Sequence, residues 1–225
     1  MLKIPFYKNT ADNTHCFQAV LKSIFKFYFP KKNYSFAFLD RISAHKKDKW
    51  TWISAAFIFL VKKGFKIIHI ENFDYKKFAL LGKAYLQKFW TDEVYQTQKK
   101  FSDIKNEQKL AKLLVKNKNI KLIKRSATLK NIKHFYKNKY ILSCAINPYV
   151  LKKQKGFASH LIIITNLTKN RITFHDPGLP PQKHRTVPLK LFFRALRYPT
   201  KRDANLTAIK LIKTKIKKPI EISRE

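Results

Sequence analysis

Cys16, His160 and Asp176 are the residues whose types and spacing best suit a reaction in this chain. Cysteine chemistry needs a thiolate, and the unpaired N–H groups and positive dipole end of a helix N-terminus lower a thiol pKa. The stretch "NTADNTHCFQAVLKSIFKFYF" (9–29) places Cys16 in the expected first turn of an amphipathic helix. A nucleophile also needs a base. His160 follows "GFAS" and opens an apolar strand, so it stands at a strand end facing a loop. Asp176 comes sixteen residues later, at the end of the strand expected to pair with it. Across a tight hairpin those two ends lie side by side. The carboxylate then accepts from one imidazole nitrogen and leaves the other for the thiol.

Taken singly, each residue has an ordinary structural meaning: a buried Cys, a strand-edge His, a turn Asp before Pro. The three together, in the order Cys–His–Asp, are more specific. Cys144 lies mid-strand in "ILSCAIN", where no helix dipole assists it, and reads as structural. His15 adjoins Cys16, but helix neighbours project about 100° apart, which argues against it as the base. His175 is expected on the opposite sheet face from Asp176. His45, His69, His134 and His184 show no ligand spacing with one another or with Cys. No metal and no cofactor is therefore assigned. Glycine-rich phosphate loops, GxSxG and RNA-binding aromatic signatures are absent from the sequence.

The elements that must position these residues follow from hydrophobic periodicity. Asn13 or Thr14 caps the first helix, Phe17, Val20, Leu21, Ile24, Phe27 and Tyr28 repeat at helical spacing, and Pro30 ends it. Helices are expected at 35–43, 51–64, 74–90, 106–117 and 128–139, with strands at 65–71 and 120–125. The period then shortens. Residues 140–149, 160–168 and 171–176 are apolar and β-branched, "KN" at 169–170 suits a hairpin turn, and "DPGLPP" is a rigid turn. A helix over 188–196 and a strand over 205–212 complete the pattern. A helical first part followed by antiparallel strands is an α+β arrangement.

Composition narrows the function classes. Of 225 residues, 45% are hydrophobic, including 19 Phe and 10 Tyr, which excludes a disordered chain. Two cysteines make no disulfide scaffold and no four-ligand zinc site. The start carries no apolar run of signal-peptide length, and the longest apolar stretch, "ISAAFIFLV", is far short of the ~20 residues of a membrane span. A cytoplasmic setting without a membrane span is expected. Basic residues number 49 against 13 acidic ones, a net charge of +36 spread along the whole chain. Lys far outnumbers Arg, as an AT-rich genome favours. General background charge accounts for the excess better than a dedicated nucleic-acid surface does, yet non-specific, salt-dependent polyanion binding is expected in either case.

"IPFYKNTADNTHCFQAVLKSIFKFY", "GFASHLIIITNL" and "RITFHDPG" together resemble the papain-fold family of bacteriocin-processing, double-glycine-leader peptidases. This is family thirty-nine of the cysteine peptidases, in its stand-alone "like" branch. The resemblance implies a papain-like fold, a helical N-terminal half packed on an antiparallel sheet from the C-terminal half. It implies one domain over 1–212, with about 74–139 as a helical insert; the tail over 213–225 is basic and is expected from its composition to fray. It also implies Cys16 as nucleophile, His160 as general base and acid, Asp176 as orienting carboxylate, and a peptide or amide substrate. The family has a Gln six residues before the Cys as oxyanion donor. Thr10 holds that position here, and Asn13 or Asn9 offers an amide nearby. The family's Gly after the Cys is Phe17, and Gln18 is expected to project away from the oxyanion.

Four function classes stay open: a cysteine peptidase or amidase, a catalytically silent papain-like binding protein, a basic nucleic-acid-associated protein, and an acyltransferase with the same triad order.

Overall fold

The computed structural model describes residues 2–212, so the tail over 213–225 lies outside the described residues. In chain order the α-helices and strands are α1 (Cys16–Tyr28), α2 (Phe36–Ser43), α3 (Ser54–Lys62), β1 (Phe65–Glu71), α4 (Tyr75–Leu81), α5 (Lys83–Phe89), α6 (Asp92–Phe101), α7 (Ile104–Leu114), β2 (Ile120–Lys124), α8 (Leu129–Lys137), β3 (Ile141–Ile146), α9 (Pro148–Leu151), β4 (His160–Leu167), β5 (Arg171–Asp176), β6 (Gln182–Pro188), α10 (Leu189–Leu196) and β7 (Leu206–Leu211). The protein is a mixed α+β fold, with ten α-helices and seven strands among the described residues.

All seven strands form one sheet in the order β2-β1-β7-β3-β4-β5-β6. The expectation of an antiparallel sheet drawn from the C-terminal half alone needs correction. β1 and β2 come from the first part of the chain and pair parallel to each other. β7, the last described strand, runs antiparallel between β1 and β3 and joins the two halves. The sheet is therefore mixed. The region over 74–139 supplies, beside its helices, the edge strand β2, where a strand over 120–125 was expected.

Side chains alternate across the sheet, and both faces are covered. Ile67, Ile141, Ile163 and Ile209 face one apolar cluster, shared with α1 to α7. Ile68, Leu142, Cys144, Ile162, Ile164 and Ala208 face the other, shared with α8 to α10. Strands covered on both faces become near-continuous apolar runs. "HLIIITNL" and "ILSCAI" are such runs.

Local chemistry moves several boundaries. The expected helix over 74–90 is two helices, α4 and α5, broken at Gly82 with φ +52° and ψ −122°. That backbone is open to glycine because it lacks a Cβ, and the Gln108 amide occupies the space a Cβ would need. α3 begins at Ser54 rather than 51, because Thr51 and Trp52 are held outside it by side-chain bonds to His45 and Ser102. α6 was not expected from sequence; Thr91 caps it, accepting from the Val94 N–H. β6 was not expected either. It is an edge strand with no apolar run, "QKHRTVP".

Candidate active site

α1 begins at Cys16, and the residue flanking it is His15. Neither Asn13 nor Thr14 is the cap. Asn13 takes a left-handed φ of +59°, and the Thr14 hydroxyl binds Asp12 at 2.9 Å instead. Asn9 takes over the capping role from a distance, its Oδ1 accepting the His15 N–H at 2.7 Å and the Thr10 N–H at 2.9 Å. Phe17, Val20, Leu21, Ile24 and Phe25 are buried, so burial of this apolar face anchors the helix and fixes where its first turn opens. Cys16, at the first helical position, is only partly buried.

The other half of the site comes from the hairpin β4–β5. His160 opens β4 opposite Ile146 of β3, and Asp176 closes β5. The two strand ends meet as their spacing predicts: His160 Nε2 donates to Asp176 Oδ1 at 2.7 Å. The second nitrogen, Nδ1, is left for the thiol. Cys16 and His160 lie close enough for each to shift the titration of the other. The structure thus brings Cys16, His160 and Asp176 to one place.

Electrostatics favour an ion pair. Burial penalises the Cys16 thiolate, but the His160 imidazole and the Leu161 and Phe17 N–H groups outweigh it and hold the thiol below its ordinary value. Burial likewise opposes a charged His160, yet Asp176 and the Cys16 thiolate raise it to about 9. Asp176 is also buried, and His160, the Gly178 N–H and Arg185 together keep its carboxyl below the usual range. Cys144 is the internal contrast: it is fully buried with no compensating partner, which pushes its thiol up.

Sequence reasoning missed Arg185 and Gly178. Arg185 Nη1 donates to Asp176 Oδ2 at 2.9 Å, so the carboxylate is held from both oxygens. Nothing marked Arg185 beforehand, because its strand β6 carries no apolar signal. The Gly178 N–H donates to Asp176 Oδ1 at 3.1 Å. A Cβ on Gly178 would lie 3.0 Å from His160 Cε1 and Nε2, so the missing side chain lets the turn close over the imidazole. The motif "HDPG" contained this signal in its final residue.

The three oxyanion candidates differ. The Thr10 hydroxyl is engaged by Asp12 and by His15 Nδ1. Asn13 is exposed, and its Oδ1 accepts from Asn9 Nδ2 at 2.8 Å. Asn9 is 4% exposed, and its own N–H donates to Pro177 O at 2.8 Å, which ties the loop before Cys16 to the turn after Asp176. Two backbone N–H groups on Oδ1 fix which end of the Asn9 amide carries the nitrogen. One of its two N–H bonds goes to Asn13, and the other is uncommitted. Gln18 lies buried, and its Nε2 donates to Ser43 and Thr51, each at 3.3 Å. His175 is also buried and shares its Nε2 proton with Ile4 O at 2.9 Å.

Among the described residues, no helix is long and apolar enough to cross a membrane. No family model and no curated protein matches the chain.

Proposed function

We propose that this protein is a papain-like cysteine peptidase or amidase of the double-glycine-peptidase-like type. The observation that carries the reading is the buried His160–Asp176 pair at 2.7 Å, with its free imidazole nitrogen left for a helix-N-terminal thiol. The Cys16 thiolate attacks the carbonyl carbon of a peptide or amide, and the carbonyl π electrons move to oxygen. The Cys16 N–H and the Asn9 amide donate to that oxyanion. Collapse expels the amine, which takes its proton from the His160 imidazolium, and leaves a thioester. His160, now neutral, takes a proton from water as the water attacks the thioester, and collapse releases the acid and expels the Cys16 thiolate, which restores the ion pair with the imidazolium. Asp176 stays ionised and holds the ring.

Incubation with a peptidyl chloromethyl ketone, followed by mass spectrometry, tests this reading. One adduct on Cys16 is expected. Absence of an adduct, or equal labelling of Cys144, would overturn it. An acceptor other than water would yield the same adduct, and product analysis separates that transferase reading from hydrolysis.

A second reading, polyanion binding, is favoured by a groove of about 1140 Å³ along α8, α9 and α10. Lys153, Lys155, Lys190, Arg194, Arg197 and Lys201 line it, around an apolar floor that includes Val150, Leu189 and Phe193. Retention on immobilised single-stranded RNA at about 150 mM salt, falling steeply as salt rises, is expected. The pair Lys190→Glu and Arg194→Glu should reduce the salt slope by about 2. A slope unchanged by that pair would assign retention to diffuse charge.

A further inference from the structure

We infer that His15, Asp40 and His45 form a divalent transition-metal site, best suited to Zn²⁺, immediately beside the nucleophile. Their ligand atoms all lie within 4.8 Å of one another, although the sequence spacing assigns them no metal.

The fold brings them together for local reasons. Asp40 lies on α2, whose C-cap Ala44 takes a left-handed φ of +53°. That turn folds the chain back so that the His45 N–H donates to Asp40 O at 2.9 Å. The imidazole of His15 then lies tilted against that of His45, with ring centroids 4.7 Å apart and planes inclined by 54°.

Each histidine has one nitrogen committed outward and the other available. His15 Nδ1 meets the Thr10 and Thr14 hydroxyls, each at 2.8 Å. Both hydroxyls donate to the Asp12 carboxylate, so toward His15 they accept, and Nδ1 carries the hydrogen. His45 Nδ1 meets the Thr51 hydroxyl at 2.8 Å, which leaves Nε2. Metal-bound histidines characteristically hold their second nitrogen in this way.

The inward side is short of a positive charge. His15 Nε2 faces both oxygens of Asp40 at 3.3 Å, and Asp40 Oδ1 is buried without a hydrogen-bond partner. A charge-assisted hydrogen bond would be shorter, about 2.7–2.9 Å. In contrast, N and O ligands on one tetrahedral Zn²⁺, with bonds of about 2.0–2.2 Å, sit about 3.3 Å apart. A cation between them would satisfy the orphaned oxygen. His45 supplies the third ligand from within the same cluster. The site is half-buried, so water can complete the tetrahedron. Imidazole with carboxylate suits Zn²⁺, Co²⁺ or Ni²⁺ better than Ca²⁺ or Mg²⁺. Acidic residues number only 13 in a chain of charge +36, yet Asp12 and Asp40 both converge on His15.

Occupancy would clamp the residue before Cys16 to α2 and so set the position of the first turn of α1. The inference does not depend on peptidase chemistry, and its test needs none. The protein is prepared as Cys16→Ser to silence the thiol, then titrated with Co²⁺ and Zn²⁺. One Co²⁺ per chain with a tetrahedral visible spectrum, displaced by Zn²⁺, is expected. His45→Ala and Asp40→Asn should each weaken binding more than about 100-fold, beyond the loss typical of outer-shell partners. His134→Ala should leave it unchanged. Circular dichroism in chelator confirms that each variant is folded. No binding overturns the site, as does binding that survives His45→Ala or is lost with His184→Ala.

Discussion

At pH 6, Cys16 alkylates with iodoacetamide about 10- to 100-fold faster than an unassisted thiol, and His160→Ala removes most of that advantage. An unassisted cysteine, with a pKa near 8.5, is only about 0.3% thiolate at pH 6. Cys16 escapes this limit. Burial penalises its charge, but the His160 imidazolium and two N–H groups hold its pKa down. The gain is less than the full rise in thiolate fraction, because nucleophilicity falls with pKa. Cys144, buried and pushed up, is expected to stay unmodified in the native protein. In the same series Cys16→Ala lowers turnover of a cleaved peptide about 10⁶-fold, the scale seen when a nucleophile that acts as part of a unit is removed. The sign of the pH dependence follows from the two shifts. Cleavage rises with pH as Cys16 ionises, below an ordinary thiol's value, and falls above about 9 as His160 loses the proton that the leaving amine needs. Stability follows the same groups. The His160 contribution is complete below its unperturbed 6.5 and is lost as pH rises through about 9. The Asp176 contribution is complete above its unperturbed 3.8 and is lost as pH falls through the depressed folded value. A Cys16 that titrates like a free thiol, or reacts equally fast in His160→Ala, would remove the ion pair from the mechanism.

The chemistry-bearing residues were legible because each stands at an element boundary that the sequence announces. Cys16 precedes a helical run, His160 opens a β-branched run, and Asp176 precedes a Pro-Gly turn. The hairpin between the last two has only three residues in its turn, so their meeting is a local event. The meeting of Cys16 with His160 is not local. It depends on α1 docking across β4, which no periodicity announces; the need of a thiol for a base, not a pattern, pointed to it. Sheet order was illegible for a related reason. β1 and β3 are joined only through β7, a pairing that spans more than half the chain and leaves no trace in either strand's pattern. Charged edge strands hide too: β6 carries Lys183 and Arg185, and the second partner of Asp176 stayed hidden with it. The His15–Asp40–His45 cluster escaped because its members come from the start of α1, from α2 and from the residue after the left-handed cap of α2, at separations that match no ligand motif.

Asn9→Ala should lower kcat for peptide cleavage about 10²–10³-fold, the cost of one lost oxyanion donor, with little change in the rate of Cys16 alkylation. Thr10→Val and Asn13→Ala should each cost less. The ranking follows from what holds each side chain. The Thr10 hydroxyl is spent on Asp12 and His15, and Asn13 is exposed and met by Asn9 only through its oxygen. Asn9 is buried, and four bonds fix it: two N–H groups on its oxygen, its own N–H on Pro177 and one amide N–H on Asn13. An amide held so firmly pays its reorganisation cost during folding rather than during reaction, which is what makes an oxyanion donor effective. The alkylation readout matters because Asn9 also caps the His15 N–H, just ahead of α1. If the residue served only to build the loop, Asn9→Ala would displace Cys16 and slow alkylation and cleavage alike. Asn9→Asp separates the roles again. It keeps an oxygen for the His15 and Thr10 N–H groups but places a negative charge where the oxyanion develops, so it should preserve folding and alkylation while cleavage stays as low as in Asn9→Ala. Cleavage restored by Asp would make Asn9 a structural cap, and the second oxyanion donor would then have to be another group beside Cys16.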